Sequence, residues 1–505
     1  MNVRLLNPGM WILLFSIGSM LNFLTGAPGI NAPNLGLEKN WYSILEYSII
    51  QGHSSVFVLN QPYDREASSR LLEQSGLVRW HQLLIDRLRY TTNEGEKEHL
   101  GLRISPGIST SENDRSDRLI MTTVDGVITI GDALLVNRFR LNDAAIRTDP
   151  DFHGDTGEWL FGYFDESYAF ISIGKTVDLF AGRMKRNLGA PNDYSLILSD
   201  NPYTFDHFGF TATGDRLKYS FFTTRLNDIT GRDSQGVTMP ADTVMKTRRY
   251  WALQRFDWKV SDHFQMAFTE ATVYGGPDQN WVASYMNPVQ FFYAAQRNQR
   301  VQLNSMWQIN IFLNPMPGLA FYADLFADDL IINNEEIPDR DRHPDRLGIL
   351  LKTSMADLIL PYTLTTLRYA RIWNDTYTSY RTFENYTYFN KGIGFPVNSY
   401  EGVKLTWDWF GMPPLQTLTA VEIWQQGDVD IHQIFDGEIR DFPKPPVTYG
   451  LTGSLGASLW QLKNIDVHFT SEYRLSHIEW DHFFKNASSD FQFNLRIFYS
   501  VQYSY

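Results

Sequence analysis

The final stretch of the sequence, residues 491–505, reads FQFNLRIFYSVQYSY and alternates between two kinds of side chain. Every odd-numbered position is apolar or aromatic, and the even-numbered positions are polar except at Phe498. Because successive side chains of a β-strand point to opposite faces, the alternation predicts one long strand with an apolar and a polar face. A soluble β-sandwich also uses such faces, but its strands are commonly about 5 to 6 residues long. The length and the aromatic end therefore favour a strand that spans a membrane.

The same alternation recurs upstream, where charged residues occupy the polar face. Leu405 and Trp407 face one way while Asp408 faces the other, and Asp466 and Glu472 alternate with apolar neighbours in the same manner. Charged side chains inside a strand need water or partners, which the polar lumen of a wide barrel supplies while its outer wall contacts lipid. Such a sheet must close, since an open edge in hydrocarbon leaves backbone groups unpaired. Further segments of this kind are 217–226, 250–260, 264–274, 319–328, 364–373 and 418–424.

We therefore predict an all-β transmembrane barrel over residues 99–505. If each strand and its connection use about 22 to 25 residues, the barrel has about 16–18 antiparallel strands. The aromatic end resembles the strand that outer-membrane barrels present to the barrel assembly machinery, so we expect that machinery and outer-membrane lipids as partners. Barrels of this kind have short periplasmic turns and long extracellular loops. The predicted outer loops are the polar tracts 142–158, 227–246, 332–346 and 425–446.

The first 29 residues have the layout of a secretory signal peptide. A single cation, Arg4, precedes the apolar run of residues 11–24, and small residues follow it. A transmembrane helix needs about 20 apolar residues, so a retained anchor is disfavoured. A buried N-terminal helix is disfavoured because no polar residues interrupt the apolar run to give the helix a solvent-exposed face. We predict export, with cleavage between Gly26 and Ala32.

Residues 30–98 lack the period of two and predict a small helical segment. Asp64, shortly after Pro62, is placed to cap a helix over residues 65–74. We expect this segment to sit at or in the periplasmic mouth of the barrel as a plug. An independent soluble domain is the alternative, although about 60 residues without disulfides are marginal on their own. Four large apolar residues then recur at helical spacing: Leu77, Trp80, Leu84 and Leu88.

Composition and motifs exclude several classes of function. The 505 residues include no cysteine, which excludes a disulfide scaffold and a lipid anchor on cysteine. A formal charge of -13 disfavours nucleic acid as a partner, since no basic face is available to displace counterions from phosphates. Neither Gly-x-Ser-x-Gly nor His-Glu-x-x-His occurs, so we expect no enzyme and no cofactor. An outer-membrane lipase or protease whose site is assembled from distant strands is the alternative. The acidic tract 333–345 lacks the ligand spacing of an EF-hand, so we expect a solvated loop without metal.

Several motifs occur in the order in which one known family has them. Residues 182–191 read GRMKRNLGAP and residues 195–202 read SLILSDNP. YGG follows at 274–276, MNP at 286–288, FFY at 291–293, GLAFYAD at 318–324 and GIGFPVN at 392–398. Together these motifs resemble the Wzi-type capsule-assembly proteins, and ordered matches are more specific than any single one. The chain departs from that family at residues 187–191, where members tend to have Trp-Gly-Pro-Gly.

The resemblance implies a Gram-negative outer-membrane barrel with a helical plug, and about 18 strands are favoured within the even-numbered range of such barrels. It also implies that the protein binds polysaccharide and helps assemble or retain capsular or exopolysaccharide at the cell surface. The alternative is a porin or substrate-selective channel. An open lumen favours the channel, whereas a plug and a surface-bound glycan favour the polysaccharide-binding protein.

The residue types in one region suit a glycan site. Four tyrosines lie among polar residues between 373 and 389: Tyr377, Tyr380, Tyr386 and Tyr388. Rings with neighbouring hydrogen-bonding groups suit sugars, whose CH faces lie on aromatic rings while their hydroxyls bond polar groups. An aromatic girdle at the membrane interface is the alternative explanation.

The motif region adds a second group of candidate glycan-binding residues. Arg183 and Arg186 suit acidic sugars, although a charge network inside the lumen explains them equally well. Ser199, Asp200 and Asn201 follow in the same region and complete the predicted site.

Overall fold

The computed structural model describes residues 39–53, 56–88, 91, 98–111, 119–174, 176–229, 247–277, 279–294, 303–329, 344–462, 464–478 and 487–504. These residues form one closed antiparallel β-barrel of 18 strands, as the sequence predicted. The signal peptide predicted for residues 1–29 lies outside the described residues, as does most of the acidic tract 333–345.

The strands follow one another around the barrel in chain order. The first half contains β1 Glu98–Ser111, β2 Leu119–Ile130, β3 Ala133–Leu141, β4 Gly162–Ile173, β5 Val177–Arg183, β6 Asp206–Thr213, β7 Leu217–Arg225, β8 Thr247–Ser261 and β9 Phe264–Pro277. The second half contains β10 Leu303–Met316, β11 Leu319–Asp329, β12 Arg346–Ala356, β13 Thr363–Ile372, β16 Tyr400–Met412, β17 Leu415–Gly427, β18 Val447–Leu462, β19 Ile465–His477, β20 Ser488–Tyr499 and β21 Val501–Ser504. Between β13 and β16, the short strands β14 Thr387–Tyr388 and β15 Lys391–Gly392 pair with each other outside the barrel sheet.

The barrel closes where β1 pairs with β2 on one side and with β20 and β21 on the other. Gly107 lies opposite Phe498 and Ile104 opposite Val501, so the register is continuous and β20 and β21 form one strand interrupted at Ser500. Ser500 is buried, and Arg103 Nη2 donates to its Oγ over 2.9 Å. The terminal alternation therefore predicted this strand correctly, but not its interruption.

The two faces of the wall follow the predicted alternation. Leu405 and Ile497 are 48% and 39% exposed and point outward. Asp408 and Asp466, which have the opposite parity in β16 and β19, are buried in the interior. An apolar outside and a polar inside are what a barrel in lipid requires.

All short turns lie at one end of the barrel, and all long connections lie at the other. Residues 262–263 join β8 to β9, whereas residues 278–302 join β9 to β10. In barrels of this kind the short turns face the periplasm. Two of the four predicted outer loops, 227–246 and 332–346, lie mostly outside the described residues. The long connections 184–205 and 373–399 were not predicted as loops, because both carry apolar side chains that the lumen buries.

Three helices fill the short-turn end of the lumen: α1 Lys39–Ile50, α2 Arg65–Gln74 and α3 Val78–Leu88. The predicted cap of α2 is confirmed, since Asp64 Oδ1 accepts a hydrogen bond from the Ala67 backbone over 2.7 Å. The helical spacing in α3 is also confirmed, because Leu77, Trp80, Leu84 and Leu88 are all buried. The helix α1 was not predicted individually. No helix among the described residues is both long and apolar enough to cross a membrane.

The plug, residues 39–88, is anchored to the barrel wall by packing and by hydrogen bonds. The Trp80 ring lies 5.7 Å from the Trp41 ring at 89°, and its Nε1 donates to the Phe410 carbonyl over 2.9 Å. The Gly318 backbone donates to the Ile50 carbonyl over 2.7 Å at a short turn. The described helices therefore lie inside the barrel rather than forming a separate domain.

We expect deletion of residues 501–505 to lower the amount of protein in the outer membrane severalfold. The deletion removes the partner of β1 from Gly101 to Ile104 and leaves backbone groups unpaired in the membrane. Tyr503→Ala is the control, because it keeps the backbone pairing and removes only a side chain that points outward. Quantitative immunoblotting of outer-membrane fractions measures the result. Normal levels of the truncated protein would contradict the assignment of the closing strand.

Candidate functional site

The connection between β5 and β6, residues 184–205, folds into the lumen and is called the inner loop here. Its Leu188 carbonyl accepts hydrogen bonds from Gln308 Nε2 over 2.9 Å and from Asn310 Nδ2 over 3.2 Å, both on β10. The backbones of Asn187 and Gln61 exchange two hydrogen bonds of 2.9 and 3.3 Å. The inner loop therefore connects β10 of the barrel wall to the plug.

Charged side chains fix the lower part of the inner loop. Lys352 Nζ on β12 donates to the Pro191 carbonyl over 2.6 Å and lies 2.8 Å from the Glu46 carboxylate in α1. Arg368 on β13 pairs with Asp193 over 3.0 Å. Because both cations are buried and held by partners from different segments, the wall, the plug and the inner loop form one packed unit.

The connection between β13 and β16, residues 373–399, covers the inner loop and is called the cap loop. Ser199 Oγ donates to the Gly394 carbonyl over 2.6 Å, and Asn201 Nδ2 donates to the Gly392 carbonyl over 2.8 Å. A Cβ atom on Gly394 would lie 2.1 Å from the Leu196 carbonyl oxygen, so only glycine permits this approach. Ser199 and Asn201, both predicted glycan ligands, are therefore used to hold two loops together.

Two of the four predicted tyrosines belong to the packed core between these loops. Tyr377 and Tyr386 have no exposed surface, and their hydroxyls donate to the carbonyls of Leu196 over 2.6 Å and Ile197 over 2.7 Å. A sugar ring cannot stack on them, and they are not part of a membrane girdle either. Their prediction as glycan-binding residues is corrected here: mixed aromatic and polar residues also suit a buried contact between loops.

The other two tyrosines are partly exposed and lie near the outer surface. Tyr380 packs against Phe435 with ring centres 4.8 Å apart. Tyr388 joins a group of rings from three connections, called the outer aromatic cluster and made of Phe152, His153, Tyr203, Tyr388 and Phe389.

The outer aromatic cluster combines exposed ring faces with a charged pair. The His153 ring is exposed and stacks on Phe389 with centres 3.7 Å apart and an interplanar angle of 5°. The Tyr203 hydroxyl donates to Asp149, and Lys391 Nζ lies 3.0 Å from the same carboxylate. Partial desolvation beside the neighbouring rings, together with the charge of Arg183, lowers the pKa of His153 and keeps its ring neutral near pH 7. His153 and Tyr203 were not predicted, because they lie in different loops and no local pattern joins them.

A polar cavity of about 410 Å³, called the lumen cavity, lies between the plug, the inner loop and the wall from β18 through the barrel closure to β4. Asp200 lines it and is exposed. Among the described residues, six of its seven cations lie within 3.3 Å of a carboxylate: Arg87, Arg103, Arg138, Arg140, Lys185 and Arg496. The seventh cation, Arg186, has no carboxylate of the described residues within 4.0 Å.

Arg186 is buried against aromatic rings instead of a carboxylate. Its guanidinium carbon lies 3.9 Å from the ring centre of Phe222 and 4.7 Å from that of Phe180. Its Nε donates to His207 Nε2 over 2.9 Å, while His207 Nδ1 is 3.0 Å from the Phe205 carbonyl. His207 therefore accepts at Nε2, donates at Nδ1 and is neutral. Burial lowers the pKa of Arg186 to about 9, so the guanidinium remains charged at pH 7.

Arg183, the last residue of β5, does not line the lumen cavity, but its charge acts on His153 and Tyr388 of the outer aromatic cluster. It has the parity of Leu179, which points outward from β5, and it pairs with Asp206 over 2.8 Å. The Asp206 side chain is 71% exposed. Sequence reasoning treated Arg183 and Arg186 alike, but Arg183 ends β5 near the outer aromatic cluster, whereas the inner loop brings Arg186 into the lumen.

We expect Tyr386→Phe to lower the free energy of unfolding by about 1–3 kcal/mol, because it leaves both Trp251 Nε1 and the Ile197 carbonyl without a partner. Thermal unfolding in detergent, followed by circular dichroism, measures the change. Tyr388→Phe is the matched control, since that hydroxyl makes no hydrogen bond within the described part of the chain. Equal stability of the two variants would contradict the role assigned to Tyr386.

Comparisons with known proteins support the fold. No protein-family model and no curated protein sequence matches the chain. Among solved structures, the chain is similar to Wzi of Escherichia coli, a carbohydrate-binding outer-membrane β-barrel involved in group 1 capsule assembly. The TM-score is 0.60 and the identity 9%, and the alignment covers 94% of this chain and 99% of Wzi. The Pseudomonas aeruginosa outer-membrane protein OprD aligns with a TM-score of 0.45 and 11% identity over 82% of this chain and 97% of that one. At 9% identity, the likeness to Wzi shows the barrel fold alone.

Proposed function

We propose that this protein binds polysaccharide at the outer surface of a Gram-negative outer membrane and helps assemble or retain capsular or exopolysaccharide without altering it chemically. The observation that carries the proposal is the outer aromatic cluster, which lies at the end of the barrel opposite the short turns. We propose further that residues 1–29 direct export and that the barrel assembly machinery inserts the chain.

The position of the rings favours a binding surface over a membrane girdle. The Tyr388 ring lies 5.1 Å from Phe205, and Phe205 lies 5.9 Å from Trp251, a buried residue inside the barrel. A girdle is made of rings on the outer wall at the lipid interface. The cluster stands instead on the inner loop and the cap loop, above the lumen, where its free ring faces can stack on sugar CH groups.

The cluster also supplies the polar partners that sugar hydroxyls require. Asp149 and Lys391 are paired beside the Tyr203 ring, with Lys391 Nζ 4.9 Å from the ring centre. Carboxylate oxygens accept hydrogen bonds and an ammonium donates them, so the pair matches hydroxyls of either role. The carbohydrate binding of the similar Wzi barrel agrees with this chemistry.

A channel is the second candidate, and the lumen cavity is the observation that favours it. The plug and the inner loop, however, cross the lumen. They make direct hydrogen bonds to the wall at β10, β12 and β18. These bonds across the lumen disfavour a wide diffusion channel. Binding therefore remains the function that the described residues support best.

We expect the double variant His153→Ala with Phe389→Ala to bind surface polysaccharide about thirtyfold more weakly, since each lost stacking contact costs about 1 kcal/mol. Glycan-array binding of the detergent-purified protein and polysaccharide retention on cells measure the effect. Phe164→Ala is the control, because that ring is 44% exposed on the outward face of β4. If Phe164→Ala weakens binding as much as the double variant does, then aromatic rings affect binding only through the membrane interface, and the proposal that His153 and Phe389 contact the glycan fails.

We expect the purified protein to form no steady channels in planar bilayers. Trp80→Ala removes packing worth about 3–5 kcal/mol and should release the plug enough to produce intermittent conductance. Trp159→Ala, which changes a tryptophan 83% exposed in an outer loop, should behave as the unmodified protein does. Steady, large conductance of the unmodified protein would favour the channel and contradict our proposal.

A further inference from the structure

We propose that Arg186 binds the carboxylate of an acidic sugar within the lumen cavity, so that the polysaccharide recognised by this protein contains uronic-acid residues. The inference rests on the proposed function, because it names the class of sugar that the same protein binds. The observation behind it is a buried cation whose free donors face an open space.

The guanidinium of Arg186 has no anionic partner in the described part of the chain. The residue is 9% exposed, and no carboxylate of the described residues lies within 4.0 Å of it. Burying an unpaired charge is costly, whereas the six other cations of the lumen cavity are all paired. An anionic group of a ligand would compensate the charge of Arg186.

The geometry of Arg186 suits a carboxylate in particular. Its Nε is bound to His207, and its position over Phe222 holds the planar group in place. The two Nη groups make no hydrogen bond within the described residues and remain available as a fork of donors. Such a fork matches the two oxygens of a carboxylate, and a preordered arginine loses little entropy on binding.

The surroundings provide room and a connection to the outer aromatic cluster. The lumen cavity, at about 410 Å³, falls within the range of about 300–1,000 Å³ typical of small-molecule sites. Arg186 also borders a small cavity under the outer surface, together with Tyr203 of the outer aromatic cluster and Phe205. Lys185 beside it is bound to Asp165 over 2.8 Å. Four carboxylates of the cavity are compensated by cations, since Asp125 and Glu166 pair with Arg138, Asp466 pairs with Arg87 and Arg103, and Asp193 pairs with Arg368.

The test is isothermal titration calorimetry of the purified full chain with D-glucuronate, D-glucose and inorganic phosphate. We expect glucuronate to bind at least about tenfold more tightly than glucose, since a charge-assisted hydrogen bond contributes that much or more. Arg186→Gln should remove the preference, and Arg186→Lys should retain part of it because it keeps the charge without the fork. Arg225→Gln is the matched control, which removes an exposed arginine paired with Asp228 over 2.8 Å and should leave the preference unchanged.

Several outcomes overturn the proposal, and they differ from those that overturn the proposed function. Equal binding of glucuronate and glucose by the unmodified protein contradicts the anion site, whether or not the variants fold. Tighter binding of phosphate than of glucuronate contradicts the assignment to a sugar carboxylate. If polysaccharide fails to bind while Arg186-dependent binding of glucuronate persists, the proposed function fails and the anion site remains.

Discussion

An antiparallel barrel of 18 strands encloses more space than its inward side chains can fill, and the way in which this space is filled determines what the protein can do. About eight strands leave an interior just wide enough for side chains, and barrels with about 16–18 strands enclose an aqueous channel unless something blocks it. Here three helices enter from the short-turn end and the inner loop enters from the opposite end. They meet at the paired backbones of Asn187 and Gln61. The lumen cavity is part of the space that remains, and a second cavity of about 300 Å³ lies between the plug and strands β4 to β8.

Buried polar groups hold this filling in place. Glu46 accepts hydrogen bonds from Lys352 over 2.8 Å and from Ser354 over 2.6 Å, and Arg255 Nη2 donates to the Leu59 carbonyl over 2.9 Å. Removing one member of a buried ion pair costs about 3–5 kcal/mol, because the other charge stays buried. A packed, bonded interior gives the outer loops a rigid base, and a rigid base reduces the entropy lost when a ligand binds.

The predictions that succeeded depended on local periodicity. The alternation around Leu405, Asp466 and Ile497 identified wall strands because each residue contacts either lipid or the lumen. Those that failed depended on contacts between distant segments. Tyr386 was predicted to bind sugar, but it meets Ile197 in another loop, and nothing near either residue in sequence shows that they touch. Five residues in the region 182–202 were predicted to bind glycan: Arg183, Arg186, Ser199, Asp200 and Asn201. Most of this region forms the segment that crosses the lumen, and Arg186 within it keeps donor groups that make no hydrogen bond to the described residues.

The central claim is that a glycan rests on the outer aromatic cluster and places a carboxylate at Arg186. The most direct measurement is an electron cryo-microscopy structure of the protein with a bound acidic oligosaccharide. The account predicts sugar rings parallel to His153 or Phe389 and a carboxylate within about 3 Å of the Arg186 Nη atoms, the usual distance of a charge-assisted hydrogen bond. Density for the oligosaccharide on the lipid-facing wall, or passing through the barrel from end to end, would contradict it.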